Sequence, residues 1–294
     1  MNLIDGKKVA TEIKEELTKD IFRLKEEGKR VPGLVTILVG ENPASLSYVS
    51  SKVKSCNEVG MVSKLEKLDA STSEEKLLEI IDSYNKNDNF DGILVQLPLP
   101  EHINEDRIIN AVFPEKDVDG FHPVNVGRLV IGQDTLYPCT PAGVQELLKY
   151  YKIETKGKHV VVVGRSNIVG KPVANIMLQK RPFANAIVTV CHSAARDLSV
   201  YTKSADILIA AIGKANFIKA DMVKDGVVVV DVGINRIPED NPKGYKIVGD
   251  VDFEGVAPKA SFITPVPGGV GAMTIAMLLK NTLKAYLMRS ESSK

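Results

Sequence analysis

The sequence predicts an α/β protein with an N-terminal α/β domain at 1–139, completed by a C-terminal helix at 272–294, and a Rossmann-like domain at 140–271. Three observations predict it. Buried-type apolar runs alternate with helix-period segments, and the alternation restarts after Thr140-Pro141-Ala142-Gly143. One strand-to-helix loop suited to a nucleotide, Gly164-Arg165-Ser166-Asn167-Ile168-Val169-Gly170, lies in the second half. At 294 residues there is room for two domains, each burying its own core.

Along the chain, Val9, Ile13, Leu17, Ile21 and Leu24 recur at helical spacing, and Gly28 closes that helix. Leu34 to Val39 reads as a buried strand. Pro43 suits the first turn of a second helix that carries Tyr48 and Lys52 and stops at Gly60. Ser73 to Asn85 is helical, and Gly92 to Gln96 is a short strand ending in Leu97-Pro98-Leu99-Pro100. Such alternation implies a parallel sheet, whose ligands gather at the carboxyl ends of strands, where Gln96 falls. The second domain supplies strands at His159–Val163, Ala186–Val190, Ile207–Ala211 and Val227–Val232. Met273 to Leu287 is a helical tail expected to pack back on the first domain.

Composition excludes several classes of partner. With 38 Lys+Arg against 37 Asp+Glu, the charge gives no reason to expect nucleic acid or a membrane surface. Cys56, Cys139 and Cys191 are scattered and form no metal or disulfide pattern, so the expectation is no metal and a reducing cytoplasm. Met1 to Lys7 has no apolar signal core, and no run reaches the roughly 18 apolar residues of a spanning helix, so a soluble, unprocessed protein is expected.

The chemistry starts with Tyr48 and Lys52. On a helix, positions four apart share a face, so a phenol and an ammonium are presented together. They precede the nucleotide loop by more than a hundred residues, which points to a cofactor enzyme working in a cleft between two domains and argues against short-chain dehydrogenases, where the pair follows the loop. By itself such a pair also fits an ordinary helix surface. In the loop after Val160–Val163, glycines permit the turn and close backbone approach, and the helix N-terminus offers N–H groups to phosphate. The loop departs from GxGxxG, with Ser166 at the middle glycine and Gly170 one residue late, and a ligand-free turn is the alternative. Val190-Cys191-His192-Ser193 carries no carboxylate for a ribose hydroxyl; Arg165 and Ser193 instead supply donors for a 2′-phosphate, which favours NADP over NAD.

Several stretches resemble the bifunctional 5,10-methylenetetrahydrofolate dehydrogenase/cyclohydrolase family almost end to end. They are Tyr48-Val49-Ser50-Ser51-Lys52, Gly92 to Pro100, Lys116-Asp117-Val118-Asp119-Gly120-Phe121, Pro138-Cys139-Thr140-Pro141, Gly164-Arg165-Ser166, Cys191-His192-Ser193, Asp231 to Asn235, Gly249-Asp250-Val251 and Thr264 to Gly271. Ala272 departs from the family's proline, and Ala194-Ala195 alters its usual Thr and Lys region. The resemblance implies oxidation of methylenetetrahydrofolate by NADP and hydrolysis of the methenyl product to 10-formyltetrahydrofolate, a place in one-carbon metabolism and purine biosynthesis, and a homodimer. It implies catalytic roles for Lys52, Tyr48 and Gln96, with Lys52 shuttling protons, Gln96 orienting it and Tyr48 packing on the folate. Asp119, Pro267, Gly268 and Gly269 would bind substrate; Gly164, Arg165, Ser166, Ile168, Ser193, Gly213 and Ile234 would bind cofactor.

Plainer readings stand beside these. Asp119 also suits a loop or cap carboxylate, and Gly268-Gly269 a simple turn. Cys139 and Cys191 read as small packing residues near the cofactor, His192 as a loop residue, and Asp231 as structural. A two-domain oxidoreductase resembling shikimate dehydrogenase would share the nucleotide unit without the folate-side motifs. A non-catalytic folate or nucleotide binder would keep the pocket, and the intact Lys52 and Gln96 speak against it.

Overall fold

In chain order the elements are β1 (Asn2–Leu3), α1 (Gly6–Glu26), β2 (Gly33–Val39), α2 (Pro43–Glu58), β3 (Val62–Leu68), α3 (Glu74–Asn85), β4 (Gly92–Val95), α4 (Glu105–Ala111), α5 (Pro123–Val130), α6 (Cys139–Tyr150) and β5 (His159–Val163). There follow α7 (Gly170–Leu178), β6 (Ile187–Cys191), α8 (Ser199–Thr202), β7 (Ile207–Ala210), β8 (Val228–Asp231), β9 (Asn235–Pro238), β10 (Tyr245–Val248), α9 (Phe253–Val256), β11 (Phe262–Ile263) and α10 (Val270–Ser292). The computed structural model describes residues 1–242 and 244–292. The chain divides into two units, one of Thr11–Cys139 with Ile275–Lys294, the other of Met1–Ala10 with Thr140–Thr274.

The first of these units holds a parallel sheet in the order β3-β2-β4. Central β2 is buried at every position, as a strand covered on both faces must be. On one side Val35, Ile37 and Ile93 pack with Leu77, Ile81 and Tyr84 of α3. Ser73 caps α3 by accepting from the Lys76 N–H, and Glu74 and Glu75 sit in its first turn, where the helix dipole favours acid. The tail of α10 belongs here. Asn281 donates to Val118 O and Tyr137 O, both at 2.8 Å, and Arg289 donates to Asp91 at 3.0 Å and Asp88 at 2.6 Å. Asp91 is fully buried and also takes both guanidinium nitrogens of Arg30.

The second unit is built on a six-stranded parallel sheet ordered β1-β11-β8-β7-β5-β6. Val161, Val163, Leu208, Ala210 and Val229 lie in its core. The chain runs from β5 to β6 on one side and later to β7 on the other, so the strand order reverses beside β5. In open parallel sheets ligands bind beyond the carboxyl ends at that reversal. The sequence expectation put the first ten residues in the N-terminal domain, whereas they group with this unit. Asn2 and Leu3 pair with Phe262 and Ile263, the Lys7 N–H donates to Gly268 O at 3.0 Å, and Gly6 lies so close to Gly269 that a side chain would not fit. A two-residue strand leaves no periodicity to read. Strand ends also shift by a residue, as at β6, expected from Ala186, and the β9–β10 hairpin had no sequence signal strong enough to register.

Candidate active site

Helix α2 does bring Tyr48 and Lys52 together. Lys52 is 4% exposed, and its Nζ lies 4.6 Å from the Tyr48 ring centroid. Gln96, just past β4, accepts a hydrogen bond from Lys52 Nζ at 3.0 Å through Oε1. Its own geometry is fixed twice, by its backbone N–H on Ile37 O at 2.9 Å and its side-chain amide on Leu97 O at 2.6 Å. Burial holds the Lys52 ammonium below the ordinary lysine range, with Asp119 and Cys139 pulling the other way. The result is a desolvated amine, oriented by a neutral acceptor and faced by an aromatic ring.

Asp119 is half-buried, and burial pushes its carboxyl up to about 6 against the pull of Lys52. Behind it Asp117 accepts from the N–H groups of Gly120 at 3.1 Å and His122 at 2.8 Å and from the Asn125 amide at 2.9 Å. That buried carboxylate fixes the turn and adds a repulsion that helps raise Asp119. Cys139, read from the sequence as a small packing residue, sits in this cluster: its thiol donates to Val118 O at 3.3 Å, and burial drives its pKa well above the usual value. Asn281 of α10, which sequence reasoning passed over, holds the backbone on either side of the cluster through Val118 and Tyr137. A single asparagine in a long helix carries no local signal for such a role.

In the other unit, β5 and β6 pair through Val163 and Cys191, and the Gly164 N–H donates to Cys191 O at 2.8 Å. Arg165 and Ser193 therefore leave neighbouring strands at the same edge, and both are exposed. Gly164 has φ 131 and backs onto Ala211 O with no space for a side chain. Ser166 does more than replace a glycine. Its hydroxyl accepts from the N–H groups of Val169 at 3.2 Å and Gly170 at 3.3 Å and so fixes the turn that leads into α7. Ile168 is exposed on the same loop. Gly213, after β7, donates its N–H to Asp250 at 2.9 Å.

Pro267, Gly268 and Gly269 line a cavity of about 240 Å³ together with Ile234, Ala272 and, unforeseen, Lys7 and Ile247. Gly268 has φ 113, a conformation glycine adopts without penalty. One predicted cofactor residue and three predicted substrate residues thus share a wall. Cys191 is buried at the end of β6, and His192 accepts from the Ala194 N–H at 3.3 Å as a loop residue does.

Residues 4–119 match the catalytic domain of tetrahydrofolate dehydrogenase/cyclohydrolase, and residues 138–290 match its NAD(P)-binding domain. The chain is 61% identical over 289 residues to the bifunctional protein FolD of Chloroherpeton thalassium, covering 97% of this chain and 98% of that one. It is 57% identical over 283 residues to the bifunctional protein FolD of Bacillus licheniformis, covering 96% of each. A crystal structure of the Campylobacter jejuni bifunctional dehydrogenase/cyclohydrolase superposes with a TM-score of 0.93 at 52% identity, covering 98% of this chain and 99% of that one. The Trypanosoma brucei enzyme, solved with NADP cofactor and inhibitor, gives 0.91 at 38% identity and 98% coverage of each.

Proposed function

The chain belongs to the tetrahydrofolate dehydrogenase/cyclohydrolase family, and from that premise we propose how its residues divide the work of two reactions. It is a bifunctional enzyme of one-carbon metabolism: it oxidises 5,10-methylenetetrahydrofolate with NADP to the 5,10-methenyl cation and hydrolyses that cation to 10-formyltetrahydrofolate.

The residues of the nucleotide unit fit the cofactor. Gly164 lets the chain turn after β5 against Ala211 where a side chain would not fit, no carboxylate stands at the end of β6, and Arg165 and Ser193 follow paired strand ends, to bind a 2′-phosphate. Gly164, Ser166, Ile168, Gly213 and Ile234 line the rest of that site. NADP⁺, when bound, would supply the hydride acceptor. The protein's share of that step is proximity and orientation.

For substrate, Asp119 accepts from adjacent N–H donors on the pterin edge and Tyr48 packs on the folate, and Pro267, Gly268 and Gly269 are read as further substrate-binding residues. Hydrolysis needs proton traffic. Water adds to the methenyl carbon and loses a proton to Lys52 in its amine form, which burial makes more accessible; the ammonium so formed returns it to the ring nitrogen as the C–N bond breaks, and the hydroxyl proton of the adduct leaves to solvent as the formyl C=O forms. The observation that carries this reading is the 3.0 Å contact from Lys52 to Gln96, which orients a desolvated lysine through a neutral acceptor. Supplied with methylenetetrahydrofolate and NADP⁺, the purified protein should release NADPH and formyl product in step. Methenyl product accumulating one for one with NADPH would remove the hydrolase half of the reading.

The working form we propose is a cytoplasmic homodimer. All three thiols are free and buried, as suits a reducing compartment, and no helix among the described residues is long and apolar enough to cross a membrane. Strand β6 is a sheet edge with Ile187 64% and Val190 42% exposed, a surface a second copy would cover.

A further inference from the structure

Asp250 is fully buried, and no lysine or arginine reaches its carboxylate among the hydrogen bonds and ion pairs of the described residues. It is held by N–H donors. Oδ2 accepts from the backbone of Ile212 at 2.7 Å and Gly213 at 2.9 Å; Oδ1 accepts from the backbone of Lys214 at 2.9 Å and the amide of Asn235 at 2.9 Å. Successive backbone N–H groups converging on one point form a concave nest that suits an anion. Here the nest follows the carboxyl end of β7, at the edge of a parallel sheet where a ligand's phosphates would otherwise settle. The protein fills it with its own carboxylate.

A second carboxylate braces the first. Asp231, at the end of β8, accepts from the N–H groups of Asp250, Val251 and Gly233, each at 2.9 Å. Gly233 and Gly249 press against these two carboxylates so closely that neither position has room for a side chain. One buried group therefore ties the 212–214 turn to Asn235, the residue after Ile234, and Ile234 lines the cavity with Gly268 and Gly269.

We propose that Asp250 is a positioning residue for the dinucleotide: by filling the nest it closes that point to phosphate, leaves the phosphates to the Gly164–Gly170 loop, and sets Gly213 and Ile234 at the spacing the cofactor needs. This rests on reading Gly213 and Ile234 as cofactor residues. Neither oxygen of Asp250 is spare, so Asp250→Asn keeps the shape but sets an NH₂ group against two donors. NADPH binding, followed by its fluorescence without folate, should weaken about tenfold or more, and the KM for NADP⁺ should rise in parallel. The KM for methylenetetrahydrofolate and the nucleotide-free hydrolysis of methenyltetrahydrofolate should change by less than about threefold, a split that general loosening of the fold would not give. Asn235→Ala removes one donor and leaves the nest intact, and should weaken NADPH binding about threefold. Parental NADPH affinity in Asp250→Asn, or an equal loss of nucleotide-free hydrolysis, overturns the proposal. If Asp250→Asn does not fold, parental affinity in Asn235→Ala overturns it. Arg165→Ala, measured alongside, separates the two levels: weakened binding there with none in the Asp250 and Asn235 variants sinks only this inference, and parental binding in all of them sinks the cofactor site itself.

Discussion

Replacing Lys52 by Met tests the mechanism most directly, because Met keeps an apolar stem of similar length and removes only the titratable end. The fold should tolerate it. Losing the donor to Gln96 leaves an acceptor short of one bond, at a cost of about 1–3 kcal/mol, and removing a buried ammonium relieves a desolvation penalty of the same order. The net stability change should fall within about 1 kcal/mol, a shift of only about 2–4 °C in Tm. Hydrolysis should fare far worse. A positioned proton carrier contributes about 10²- to 10⁴-fold, or about 2.7–5.4 kcal/mol of barrier. Hydride transfer passes no proton through a side chain, so the dehydrogenase should lose less, and the methenyl product, followed by its absorbance, should build up when NADP⁺ is supplied. A second effect follows from electrostatics. The Lys52 ammonium lowers the Asp119 pKa, so in the variant Asp119 should titrate above its present value of about 6 and the KM for folate at neutral pH should rise. Hydrolysis of methenyl substrate at the parental rate would refute the role of Lys52 as proton carrier.

Three other outcomes are expected. Arg165→Ala should weaken NADP binding by about 1.5–3 kcal/mol, roughly ten- to a hundredfold, while NAD binding barely moves; equal losses in parallel titrations would end the 2′-phosphate assignment. With Asp119 near 6, its carboxylate is ionised above that pH and protonated below it, so the KM for methylenetetrahydrofolate should climb as pH falls through about 6. Asp119→Asn should raise that KM and flatten its pH profile, and an unchanged profile would show that another group is being titrated. Ile187→Lys, on the exposed edge β6, should give a monomer by light scattering at micromolar protein, and an intact dimer would move the interface elsewhere.

The parts of the molecule that the sequence disclosed are those in which a local pattern carries the physics. A nearly continuous apolar run such as β2 or β5 between turn signals reads as an interior parallel strand, and a tyrosine and lysine four apart on a helix meet whatever the tertiary fold does. Gln96 was legible for the same reason, since the residue after a buried strand points to where ligands gather. The first ten residues were not. Their place depends on a two-residue strand and on Gly6 against Gly269, contacts across more than two hundred and fifty residues that no window along the chain contains.

Asp231 and Asp250 show the limit more sharply. By composition each is an ordinary acidic residue, and the reading of Asp231 as structural came from its place at a strand end. What makes them a unit is that four strands, β7, β8, β9 and β10, deliver backbone N–H groups or an amide to the two carboxylates. Glycine signals the crowding at 233 and 249, but it does not say what the crowding is for. In the folate-side cluster, similarly, Asn281 arrives from a helix a hundred and forty residues away to hold Cys139 and the Asp119 turn. Groups that touch a ligand leave motifs because their chemistry is restricted. Groups that hold those residues in place are restricted only by geometry, and that geometry exists only once the chain has folded.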